Sequence, residues 1–159
     1  MRKRFTDLLH SYIEKDRNIY LITADLGFKM WDGIGEMAPD NYIRMGSSEQ
    51  LMLGAAVGLA YDGKIPVCYS ISTFLINRPF EWLRNYVNYE NLPVKLVGSG
   101  RDKDYSHDGK THWADDDEQV LAALPNIKIL KPNSEQELEE AFHDFIYSPT
   151  PIYLNLKRA

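Results

Sequence analysis

Leu51-Met-Leu-Gly-Ala-Ala-Val-Gly-Leu-Ala60 is a run of ten residues without a charge, and it follows directly on Gly46-Ser-Ser-Glu-Gln50. The run is too short to cross a bilayer. It reads as a helix that is apolar on every face and therefore buried all round. A carboxylate, Glu49, sits in its first turn. Burying an unpaired carboxylate is costly, so such a group either takes up a proton or acquires a specific partner. One reading is a proton-handling acid pressed against a core or an interface. The other is electrostatic: Glu49 favours the helix N-terminus, and Ser47 and Gln50 form a capping pair.

Outward from this helix, short β-rich runs alternate with helical patterns. Strands are predicted at Ile19–Thr23, Tyr42–Met45, Ile65–Ile71, Val94–Gly98, Ile127–Leu130 and Ile152–Leu156. Helices are predicted at 3–15, 48–61, 77–90, 115–123 and 134–147, with a weaker one near 28–37. Such alternation predicts an α/β fold, a three-layer α/β/α sandwich around a mainly parallel six-stranded sheet. These sheets bind ligands at the carboxyl ends of their strands. Asp25, Glu49, Thr73-Phe74 and residues 100–112 fall at the ends of the first four strands, which makes them candidates for a site. Ser134 and Glu137 form a capping box at the start of the last helix.

The chain of 159 residues, with 44% apolar and 26% charged residues, reads as a single domain, 1–159, with a sizeable core. A net charge of -5 without a basic run argues against nucleic acid as the main partner. No segment has the order of a signal peptide or the length of a membrane span, so the expectation is a soluble, cytoplasmic protein. The single cysteine, Cys68, lies in the apolar run Ile65-Pro-Val-Cys-Tyr69 and reads as a small buried residue.

Gly54, Ala55 and Gly58 lie within one turn of each other, where small residues admit a neighbouring helix. That neighbour is either inside the domain or across a subunit interface. Phe74, just past a buried strand, reads as core or as a stacking platform. Ser106-His-Asp-Gly-Lys-Thr-His112 is the most polar stretch, and Asp108 and His112 there can serve as hydrogen-bonding or acid–base groups. Two histidines and one carboxylate are too few ligands to specify a metal. Asp115-Asp-Asp-Glu118 suits the N-terminus of the following helix.

Taken in order, these segments resemble the pyrimidine-binding domain of thiamine-diphosphate enzymes of the transketolase group. The matching elements are the Ala24-Asp25 turn, Gly46-Ser-Ser-Glu-Gln50 with the apolar helix, and Ser72-Thr-Phe74. Leu92-Pro-Val-Lys-Leu-Val-Gly98, Asp108-Gly-Lys-Thr-His112 and Leu124-Pro-Asn126 through Pro132 complete the set. The resemblance implies that Glu49 bonds N1′ of the aminopyrimidine of thiamine diphosphate and favours its imino tautomer, with Phe74 stacked on the ring. That task needs a carboxyl group held protonated in a dry pocket. By the same resemblance, Asp25 lies near the cofactor, and Asp108 and His112 contact the hydroxyls of a donor sugar. Glu49 and His112 are then the catalytic pair. Arg158, with Arg2, is placed to reach a substrate phosphate.

Two departures from the family pattern bear on the partner and the substrate. The Gly-Asp-Gly run followed by Asn, with which these enzymes hold Mg²⁺ and the diphosphate, does not occur in this sequence. The resemblance therefore implies a subunit of a split enzyme, a heterotetramer in which a diphosphate-binding subunit holds the metal. Gly100-Arg-Asp-Lys-Asp-Tyr-Ser106 stands where transketolases carry a phosphate-contacting histidine, and Arg101 or Lys103 is the candidate replacement. The implied reaction transfers a two-carbon ketol unit between sugars or sugar phosphates. The alternatives are a pyrimidine-domain subunit of a 2-oxo-acid decarboxylase or dehydrogenase, which the Asp108–His112 element disfavours, and a non-catalytic assembly module.

Overall fold

The computed structural model describes residues 1–158. Six strands, β1 (Ile19–Ala24), β2 (Tyr42–Gly46), β3 (Ile65–Ile71), β4 (Lys95–Ser99), β5 (Lys128–Leu130) and β6 (Ile152–Leu156), form one sheet in the order β2-β1-β3-β4-β6-β5. Every pairing is parallel. Alternate residues of each strand face opposite layers, as the two-residue strand period requires. Val67 and Tyr69 thus enter one core, with Phe5, Leu9, Ile13, Phe142 and Phe145 from α1 (Arg2–Lys15) and α7 (Glu135–Tyr147). Cys68 enters the other, with Met52, Leu53, Ala56 and Val57 from α3 (Glu49–Tyr61). There burial pushes the Cys68 thiol up, so it is a packing residue. No helix among the described residues is long and apolar enough to cross a membrane.

The sheet order fixes where a ligand can sit. From β1 the chain goes to β2 on one side, then crosses back to β3 on the other. The loops leaving β1 and β3 therefore diverge and open a crevice at the carboxyl ends, at the point where such folds bind ligands. A register shift between Thr23 and Ala24 in the β1–β2 ladder, where Ala24 comes opposite Gly46, bends the strand ends at this corner.

The helices differ more from expectation than the strands. The expected helix 77–90 begins instead at Ser72, directly on the end of β3, as α4 (Ser72–Asn77). Pro79 has no N–H to give the carbonyl four residues back, and the helix breaks there. It resumes as α5 (Phe80–Trp82) and widens into a π-helical segment, Leu83–Asn88. The weak helix near 28–37 shortens to α2 (Asp32–Met37), and 115–123 to α6 (Asp117–Leu121).

The capping pair Ser47–Gln50 does not form. Ser48 is the N-cap of α3, without a side-chain bond, while Ser47 Oγ donates to Asp25 and Gln50 Nε2 to the Arg78 carbonyl. Within the acidic run, Asp117 turns inward to accept from Tyr153 Oη at 3.0 Å. The Ser134 cap does form: its Oγ accepts from the Glu137 N–H at 3.1 Å, and Glu137 reaches back to the Asn133 N–H at 2.8 Å.

Helix α3 is not buried all round. Leu51 is 61% exposed and Gly58 is open, on a stripe with Gly54 and Ala55 at the i, i+3, i+4, i+7 spacing of one helix face. The two glycines serve different ends. A β-carbon on Gly54 would lie 3.2 Å from the Trp82 ring, so this glycine admits a neighbour from inside the chain. One on Gly58 would meet nothing within 4 Å.

Candidate functional site

Three chain corners converge at the crevice: Asp25 after β1, Ser47–Glu49 after β2, and Phe74–Arg78 after β3. Glu49 is the first residue of α3, so the helix N-terminus favours its negative charge. Its side chain is only 3% exposed. Ser70 Oγ, on β3, donates to Oε1 at 3.2 Å, and Arg78 Nη1 donates to Oε2 at 2.8 Å. Burial thus resolves into a specific partner: a serine and an arginine hold the carboxylate.

Arg78 is the residue that sequence reading missed. Its guanidinium carbon lies 3.7 Å from the centroid of the Phe74 ring, a cation–π contact, while its far side reaches water, the side chain being 45% exposed. The four-residue spacing from Phe74 on a helix was the available signal. It was obscured because the helix was expected to start only at residue 77. Phe74 is half-buried and faces a second ring, that of His112, edge-on at 4.9 Å. Phe74 is therefore neither pure core nor an open platform, since one cation and one imidazole already lie against it.

His112 is delivered by the loop between β4 and α6. Gly100 at φ +88° starts that loop, and a β-carbon there would lie 2.2 Å from the Tyr105 ring, so only glycine lets the ring close over the strand end. Tyr105 is buried, its hydroxyl 3.4 Å from Ser99 Oγ. A bridge between Asp102 and Ala114 ties the loop at its base. His112 Nδ1 lies 3.0 Å from Thr111 Oγ1. Asp108, two short helical turns away, is half-exposed, and its carboxylate meets His107 Nε2 at 3.1 Å, not His112. The structure therefore brings His112 to Phe74 and leaves Asp108 on the outer part of the same loop.

Arg158 and Arg2 come together from opposite ends of the chain. Arg2 Nε donates to the Arg158 carbonyl at 3.0 Å, and the Arg158 guanidinium lies 4.7 Å over the Tyr105 ring. Arg101 corrects the expectation placed on it. It is buried, and its guanidinium bonds Asn155 Oδ1, Asn133 Oδ1 and the carbonyls of Pro132 and Asn155 at 2.7–3.1 Å. With its fork committed to these oxygens it staples the loop to β6 and is not presented to a phosphate. Lys103 is exposed and pairs with Asp115 at 3.7 Å. Asp25 lines an open cavity of about 1080 Å³ shared with Arg2, Lys29 and Arg44. Among the described residues no group of three or more His, Cys, Asp or Glu side chains gathers to hold a metal ion.

This arrangement can hold a flat, nitrogen-bearing ring. With the Arg78 guanidinium moved off both, the buried carboxyl group could address a ring nitrogen from the edge and Phe74 could offer a face. The donor set fits the aminopyrimidine half of thiamine diphosphate.

Comparison with known proteins identifies the family. The profile of the family described as "Transketolase, pyrimidine binding domain" matches residues 1–159. The 6-deoxy-6-sulfo-D-fructose transketolase subunit of Clostridium sp. (strain MSTE9) is 31% identical over 159 residues, 99% of this chain and 49% of that protein. The 1-deoxy-D-xylulose-5-phosphate synthase of Prochlorococcus marinus is 33% identical over 157 residues, 98% of this chain and 24% of that protein. Among solved structures, a split-gene transketolase, an inactive β4 tetramer, superposes with a TM-score of 0.86 at 26% identity, covering 99% of this chain and 50% of that one. The chain thus spans about half the length, or less, of these relatives.

Proposed function

We propose a function on the premise that this chain belongs to the transketolase pyrimidine-binding domain family: it is a subunit of a split, thiamine-diphosphate-dependent transketolase. The enzyme transfers a two-carbon ketol unit between sugars or sugar phosphates. Its active site forms between this chain and a separate diphosphate-binding subunit that holds Mg²⁺, in a heterotetramer. The observation that carries the reading is a carboxyl group 3% exposed, at the switch point of a parallel sheet, joined to the face of Phe74 through the Arg78 guanidinium.

When bound, the cofactor supplies the electron sink for breaking and making the carbon–carbon bond. The residues of this chain supply its placement. Glu49, out of water, holds or gives a proton at the ring nitrogen it bonds and so sets the tautomer. Phe74 fixes the ring plane, and Asp25 stands at the next strand end. His112, in contact with Phe74, is the hydrogen-bonding group for a donor hydroxyl, with Asp108 further out on its loop. Arg158 and Arg2 form the positive corner for a terminal phosphate or similar anion. The open part of the α3 stripe, Leu51 and Gly58 with Ala55 between them, is the face that a neighbouring subunit covers.

The test uses the chain co-purified with a diphosphate-binding partner chain. Glu49→Gln lowers turnover by roughly 10²- to 10⁴-fold, while the complex elutes at its normal size. Substantial remaining activity contradicts the proton role of Glu49.

A further inference from the structure

We infer that Arg78 is a placeholder for the aminopyrimidine ring: its guanidinium holds both contacts proposed for that ring, and cofactor binding must displace it. This rests on the proposed function, which assigns the edge of the ring to Glu49 and its face to Phe74. One planar cation now satisfies both. Nη1 lies 2.8 Å from Glu49 Oε2, and the guanidinium carbon lies 3.7 Å from the Phe74 centroid. Guanidinium and aminopyrimidine share the features this corner selects, a flat π-system with N–H donors at its edge.

The anchoring shows which part moves. The Arg78 carbonyl accepts from Gln50 Nε2 at 3.3 Å, and its N–H reaches the Phe74 carbonyl at 3.3 Å. The backbone is thus tied to α3 and α4. The side chain is 45% exposed and can swing into solvent about its own rotamers, while Glu49 cannot leave. Pro79, which breaks the helix, holds Arg78 at the rim of the crevice.

Displacement has a protonic consequence. Arg78 is the charged partner of Glu49 among the described residues, and Ser70 Oγ is its other bond. The remaining titratable groups of this corner are Asp25, bonded to Ser47, and His112, across the Phe74 ring. With the guanidinium gone, Glu49 becomes a buried carboxylate without counter-charge, and taking up a proton is the cheaper outcome. The neutral acid that results is the form able to donate to a ring nitrogen. Arg78 thus supplies the counter-charge of Glu49, and its departure couples cofactor entry to the charge of that carboxyl group.

The variant is Arg78→Met, with Arg78→Gln as a second, milder replacement that also guards against a folding defect. Each complex with the diphosphate-binding chain is titrated calorimetrically with thiamine diphosphate and Mg²⁺, in two buffers of different ionisation enthalpy. The cofactor-free complexes are melted in parallel. A displaced placeholder moves the two readouts in opposite directions. Arg78→Met binds about tenfold tighter, roughly the effect of removing one competing ion pair, takes up fewer protons than the wild type, and melts at a lower temperature when empty. An arginine with a merely structural role would cost both stability and affinity. Unchanged or weaker binding with undiminished proton uptake overturns the placeholder and leaves the proposed function standing. Absence of thiamine diphosphate binding by every complex, wild type included, overturns both.

Discussion

His112 lies edge-on to Phe74 at 4.9 Å, with Thr111 beside its Nδ1. A side chain placed on the rim of a stacked ring, and not on its edge-bonding carboxylate, should act on what reacts above that ring more than on the ring itself. His112→Ala is therefore expected to raise the KM for the donor and lower kcat, by about 10²-fold in kcat/KM. The Kd for thiamine diphosphate should move much less, and an equal loss in both measurements would remove the assignment. Single residues were unevenly legible in the sequence. Glu49 and Phe74 could be placed at one corner because each follows a recognisable strand, and strand ends converge in this fold. Arg101 was misread because an isolated cation in a loop looks the same whether it faces a ligand or a carbonyl. What decides it, Asn133, Asn155 and the Pro132 carbonyl, lies more than 30 residues away. Lys95 was hidden in the same way: it occupies a strand interior, where its ammonium, pushed down to about 8 by burial and by Lys128, is held by the carbonyls of Ser148 and Thr150.

Strands were more legible than helices because a buried parallel strand is a continuous apolar run, and a run has visible ends. β3 and β6 occupy the residues expected of them, Ile65–Ile71 and Ile152–Leu156, and the others differ by a single residue at one or both ends. Helix α4 escaped because nothing separates it from β3: Ile71 ends the strand and Ser72 starts the helix. Without a turn signal, periodicity cannot place the boundary. Helix α3 was recognised and read as buried all round, with its small-residue stripe against a neighbour inside the domain or across a subunit interface; the chain alone leaves Leu51 and Gly58 of that stripe open. That stripe yields a clean separation of folding from association. Gly58 has open space around its missing β-carbon, and replacing a mid-helix glycine gains about 1 kcal/mol of helix propensity. Gly58→Leu is therefore expected to leave the melting temperature of the isolated chain equal or higher. Co-elution with the partner subunit should be weakened at least tenfold. A variant that melts lower yet assembles normally would place the stripe inside the domain instead.

On the proposed function, the molecule as a whole supplies one side of a cofactor site. The residues that fit, Glu49 and Phe74, address a single ring, and the sequence has no Gly-Asp-Gly…Asn run for a diphosphate and its cation. At roughly 0.3 kcal/mol per non-hydrogen atom, a ring of about nine such atoms contributes about 3 kcal/mol, which corresponds to a Kd weaker than millimolar. Even this overstates the contact, since Arg78 must first be moved off Glu49 and Phe74. The purified chain alone is therefore expected to show no saturable binding of thiamine diphosphate below about 1 mM, with or without Mg²⁺. Adding the diphosphate-binding chain should bring binding into the micromolar range, because the two half-sites then act on one ligand and the ring contact becomes intramolecular. Calorimetry on the chain, the partner and their mixture separates these cases. Tight, magnesium-dependent binding by the chain alone would mean that the diphosphate has ligands here after all, and that the site is not divided between two polypeptides.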